Sequence, residues 1–97
     1  MEFINQLNPE ETILIGKWKK IGYNIVRDEN CRRIEKLKSD YLKKISVDKS
    51  GWETLYQDPN DNRYWLLTYP DSECHGGGPP TLKMITPIEA FQIFGID

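Results

Sequence analysis

The feature that most limits what this chain can become is a change of hydrophobic period at Ser50-Gly51. Before it, Cys31, Ile34, Leu37, Tyr41, Leu42 and Ile45 recur at spacings of three and four, the stripe of an amphipathic helix. Asp28 suits the N-cap and Glu29 the positive end of the helix dipole, so the spacing predicts a long helix over about 29–46. After it, residues 52–57 and 63–69 alternate with period two and read as paired strands. A sheet of this kind packed on such a helix is an α+β fold.

The link between the strands sets their register. In Asp58-Pro59-Asn60-Asp61-Asn62, Pro59 suits the first corner of a type I turn and Asn62 the left-handed position. With residues 59–62 as the loop, Asp58 faces Arg63, Tyr56 faces Trp65 and Trp52 faces Tyr69. Trp52, Thr54, Tyr56, Trp65, Leu67 and Tyr69 then share the face expected under the helix. Leu55, Tyr64 and Leu66 lie on the other face with Glu53, Gln57 and Thr68, an expected docking patch for a protein partner unless the N-terminal segment covers it.

Residues 81–85 read as a third strand. Thr86-Pro87-Ile88-Glu89 then opens a last helix by cap, proline and capping-box glutamate, ending at Gly95 with Ala90, Phe91, Ile93 and Phe94 on its buried side. Asn8-Pro9-Glu10-Glu11 repeats that logic and predicts a short helix over 9–15, stopped by Gly16; Trp18, Tyr23, Ile25 and Val26 suggest an extended segment after it. The expected architecture is a small antiparallel sheet of three or four strands against one long helix, with short N- and C-terminal helices, in a single domain spanning 1–97.

The net charge of −2 hides a division. Residues 1–50 carry 11 Lys and Arg against 8 Asp and Glu, and residues 51–97 carry 2 against 7, so the halves stand at +3 and −5. Hydrophobic content of 38% and charged content of 29% are those of a globular chain, and no apolar run is long enough for a signal peptide or a membrane span. A cytoplasmic location is expected, with Cys31 and Cys74 reduced.

Catalytic and metal chemistry find little to work with. His75 is the one histidine, and a Cys31–His75 dyad competes with the plainer reading of Cys31 as a small core residue. Cys74-His75 lacks the spacing of a zinc pair, His75-Gly76-Gly77-Gly78-Pro79-Pro80 lacks the lysine and helix of a phosphate loop, and the Asp58–Asn62 stretch lacks the glycine and glutamate of a calcium loop. No enzyme activity, metal or cofactor is expected. The basic outer face of the 29–46 helix, with Arg32, Arg33, Lys36, Lys43 and Lys44, offers a nucleic-acid module as the alternative function, against a pI near 5.4.

The run Ser50-Gly51-Trp52-Glu53-Thr54-Leu55-Tyr56, the turn Asp58-Pro59, Arg63-Tyr64-Trp65, Leu67-Thr68-Tyr69-Pro70, Ser72-Glu73, the His75 to Pro80 string and Leu82 closely resemble immunity protein 27. Gly16-Lys17-Trp18, Asp28-Glu29, Cys31 and Arg33-Ile34-Glu35 extend the resemblance upstream, over about residues 9–95. Asn62 replaces the family's glycine after Asp61, and Leu66 stands where relatives often carry Glu. The resemblance implies a bacterial polymorphic-toxin immunity protein, which binds a cognate toxin domain and occludes it without catalysis. Basic nucleases are common among such toxins, so an acidic contact surface would steer association. The residues expected to bind the partner are Glu53, Asp58, Asp61, Tyr64, Asp71, Glu73 and His75, with Tyr64 as the aromatic anchor.

Overall fold

The computed structural model describes residues 7–70 and 78–95. The chain forms β1 (Ile13–Ile15), β2 (Trp18–Ile21), β3 (Asn24–Arg27), α1 (Glu29–Asp40), β4 (Lys43–Val47), β5 (Thr54–Gln57), β6 (Tyr64–Thr68), β7 (Thr81–Ile85) and α2 (Pro87–Phe94). Five strands make one antiparallel sheet in the order β1-β7-β6-β5-β4, and β2 and β3 pair separately as a two-stranded ribbon. The fold is α+β, with more strands and a shorter main helix than the sequence pattern suggests.

The central hairpin has the expected register. Tyr56 pairs with Trp65 and Gln57 with Tyr64. The Asp58 N–H donates to the Arg63 carbonyl at 2.9 Å, and Asn62 takes φ 64°, a left-handed position that asparagine tolerates better than most residues. One face of the sheet gives Leu14, Tyr56, Trp65, Leu67 and Leu82 to a core closed by Ile34 and Leu37 of α1 and by Leu42. The other face is not left open, because α2 packs on it. Leu55, Leu66 and Ile85 pack with Ala90 of α2, flanked by Ile45, Tyr64 and Phe94.

α2 is built as its sequence dictates. The Thr86 side chain accepts from the Glu89 N–H while the Glu89 carboxylate accepts from the Thr86 N–H, Pro87 opens the helix, and Gly95 ends it at φ 69°. Only Ala90 is fully buried; Phe91 and Ile93, expected inside, are 55% and 42% exposed. One face of an eight-residue helix is too narrow to bury all four apolar side chains.

Two helical expectations are corrected. α1 begins as expected, with the Asp28 carboxylate accepting from the Cys31 N–H, but it ends at Asp40, where Tyr41 leaves helical geometry. Lys43, Lys44 and Ile45 belong instead to β4, which closes the open edge of β5 with an irregular register between Lys44 and Ser46. Ile45, Ser46 and Val47 are weak helix formers, and the free strand edge outweighs their spacing. At the N-terminus the Asn8 N–H does donate to Glu11 Oε1 at 2.7 Å, yet only a turn forms before Ile13–Ile15 pairs with β7.

Gly16 marks the closest approach in this arrangement. Its N–H donates to the Pro80 carbonyl at 2.8 Å, and a Cβ there would lie 2.7 Å from both Cys31 Sγ and the Pro80 oxygen. Gly16→Ala should therefore lower stability by about 1–3 kcal/mol in urea unfolding, since backbone rather than a flexible side chain must move.

Candidate partner-binding site

Of the seven residues expected to bind a partner, the four that are described do not gather into one patch. Asp71, Glu73 and His75 lie outside the described residues. Glu53 sits at the start of β5, whereas Asp58, Asp61 and Tyr64 lie at its far end; Glu53 and Asp58 are separated by five strand positions, roughly 17 Å at 3.4 Å each.

Asp58 is fully buried, so it offers no carboxylate to a surface contact. Its Oδ1 accepts from the Tyr41 hydroxyl at 2.5 Å and the Asn60 N–H at 2.8 Å, which braces the hairpin turn from inside. Burial, then the hydrogen bond to Asp58, pushes the Tyr41 hydroxyl well above the usual phenol range, so it stays a donor. Asp61 is exposed, but its carboxylate holds Arg63 through Nε at 2.6 Å. Arg63 in turn donates to the carbonyls of Glu11 at 2.7 Å and Asn8 at 3.0 Å and stacks over Trp65 at 5.0 Å. Tyr64 is half-buried against the α2 cluster. Asp58 thus braces the hairpin turn, and Asp61 holds the arginine that clamps residues 8–11 onto it.

The same N-terminal turn is tied to α1 by a two-pronged pair, Arg33 Nη1 and Nη2 on the two Glu11 oxygens. The Arg33 hydrogen bond, more than its charge, holds the Glu11 carboxyl below its ordinary value of 4.5. A lowered folded value means stability that is fully present above about pH 4.5 and lost as pH falls through that lowered value. Glu11→Gln should cost about 1–2 kcal/mol at neutral pH and remove this part of the acid dependence, read by urea unfolding from neutral to acidic pH. Tyr41→Phe should cost about 1–3 kcal/mol by stripping a donor from a buried carboxylate.

The basic stripe expected on the long helix is broken up. Lys43 and Lys44 stand on β4, Arg33 engages Glu11, Lys36 pairs with Asp40 at 3.7 Å and Lys38 with Glu35 at 3.5 Å. Cys31 is buried, its Sγ donating to the Lys17 carbonyl at 3.4 Å, and burial pushes its thiol up, away from nucleophilic chemistry. Among the described residues no group of three or more His, Cys, Asp or Glu could hold a metal ion, and no helix is long and apolar enough to cross a membrane.

One concavity lies at the other end of the sheet. The ribbon contributes Trp18 and Arg27, α1 contributes Cys31 and Glu35, and Trp52 and Tyr69 face them, with Gly78 and Pro80 completing a cleft of about 240 Å³. Trp52 is half exposed and meets Tyr69 edge-on at 5.9 Å. Asp48 positions this corner, its Oδ1 accepting from Ser50 Oγ and from the N–H groups of Gly51 and Glu53. Beside it, outside the cleft lining, burial and then the nearby Asp48 charge raise the Glu53 carboxyl. The cleft falls below the roughly 300–1,000 Å³ of small-molecule pockets, which suits an inserted side chain better than a metabolite.

The model of one family, Immunity protein 27, matches residues 20–86, a stretch that holds most of the ribbon, α1 and the strands from β4 to β7. This chain belongs to the immunity protein 27 family. None of the curated proteins and none of the solved structures matches it. The immunity protein 27 match includes Arg27, Cys31, Glu35, Trp52, Tyr69, Gly78 and Pro80 of the cleft and leaves out Trp18. The ribbon's part in the cleft is what the sequence reading missed. Its one signal there was the run of Trp18, Tyr23, Ile25 and Val26 in a segment with no long hydrophobic stripe.

Proposed function

We propose that this chain binds a cognate toxin domain, encoded beside it, and neutralises that domain by occluding it, without catalysis of its own. The family supports a toxin as the partner, and the observation that carries a surface mechanism is the cleft at the Trp52 end of the sheet. There an exposed indole, a second indole, a phenol, an arginine and a glutamate converge, the residue types that anchor protein interfaces.

Of the residues expected from the sequence, Glu53 stays in the proposed contact, and Asp71, Glu73 and His75 stay with it as sequence-based candidates. Asp58 and Asp61 are assigned to holding the hairpin, and Tyr64 to the α2 cluster. A stable complex needs roughly 800 Å² from each partner, so the cleft is the centre of the contact and its rim must contribute too.

The purified chain should bind the toxin domain encoded beside its gene and suppress its activity. Trp52→Ala and Glu53→Ala are each expected to weaken binding about tenfold or more, while Asp61→Ala leaves affinity unchanged. The reverse pattern would move the contact to the hairpin turn. No binding by the wild-type protein would reject the immunity reading.

A further inference from the structure

The ribbon beside the cleft is the least covered part of the described chain. β2 and β3 pair with each other and with no other described strand, and every residue from Lys19 to Arg27 is exposed. A two-stranded ribbon in water is marginally stable by itself. This one nonetheless presents Ile21 at 62% exposure, Ile25 at 65% and Tyr23 wholly exposed at the turn. The pairing of Lys19 with Val26 and of Lys20 with Ile25 puts a lysine beside an aliphatic side chain on each face. An open groove separates the Lys19, Ile21 and Val26 face from the start of α1, and its lining carries three cations, Lys19, Arg27 and Arg32, against two acids, Asp28 and Glu29.

Charge decides what fits this surface. Residues 17–27 carry Lys17, Lys19, Lys20 and Arg27 and no Asp or Glu, within a chain of net charge −2. A second copy in a two-fold contact would set these cations against themselves. A nucleic acid would leave Ile21, Ile25 and Val26 in water. An anionic protein surface with an apolar centre satisfies both the lysines and the aliphatic side chains.

We infer that the β2–β3 ribbon is the arm that docks on the toxin domain, and that the toxin surface it meets is acidic around an apolar centre. The inference rests on the immunity reading and deepens it by stating the charge of the partner. It reverses the expectation that the acidic half of the chain captures a basic toxin: the steering charge lies on residues 17–27.

The test is binding kinetics with the toxin domain encoded beside the gene, at low and high salt, for the wild type, Lys19→Glu/Lys20→Glu and Tyr23→Ala. All three side chains are exposed, so both variants should keep the wild-type urea midpoint, and either variant alone suffices. Charge reversal is expected to slow association about tenfold or more at low salt and to flatten its salt dependence. Tyr23→Ala is expected to raise Kd about tenfold. Wild-type kinetics in the folded variants would overturn the ribbon inference and leave the immunity reading standing. A wild-type protein that does not bind the toxin domain would bring down both. If it instead bound a short DNA duplex through Lys19 and Lys20, the ribbon would belong to nucleic acid and the inference would be wrong.

Discussion

Strand β6 turns Trp65 and Leu67 to one side of the sheet and Leu66 to the other, and all three are buried. A strand that is apolar on both faces requires cover on both. The described residues form two helices, and this demand uses them both: α1 closes one face with Ile34 and Leu37, and α2 closes the other with Ala90. Among the described residues no further element is left to lay over the ribbon. The ribbon's exposure is thus a consequence of how the core is filled, and the surface available to a partner is what remains once both faces of the sheet are satisfied.

Polar residues fix the geometry that the core leaves open. A buried carboxylate is costly unless it is hydrogen-bonded, and Asp58 is bonded to Tyr41 and to its own turn. Arg63 reaches from Asp61 to the backbone of residues 8–11, and Glu11 reaches on to Arg33, so hairpin, N-terminal turn and α1 are joined in one chain of charged contacts. Asp58 and Asp61 look like binding residues from sequence because acids in a turn look exposed. Here one is inside, and the other is engaged in holding an arginine.

What the sequence made legible was local. The Asp58 to Asn62 turn sets the hairpin register by its own chemistry, and Thr86 to Glu89 specifies the start of α2 within four residues. What it hid was settled at a distance. The end of α1 depends on whether β5 has a free edge for Lys43–Val47, and the fate of Ile13–Ile15 depends on β7, some seventy residues away. The cleft was half legible: Trp52 and Tyr69 stood out in their motifs, but that Trp18 and Arg27 face them is a tertiary fact with no short-range signature. Likewise, spacing cannot tell a covered Ile21, Tyr23 or Ile25 from an exposed one.

The account makes the ribbon uncovered in the free protein and covered in the complex. Amide hydrogen exchange measures this directly, because opening free energies fall where few buried contacts hold a segment. In the free chain the β2–β3 amides should exchange far faster than those of β5, β6 and β7, and in complex with the toxin domain they should become strongly protected. Ribbon amides as slow as those of β6 in the free chain, or unchanged exchange at residues 18–27 in the complex, would contradict it.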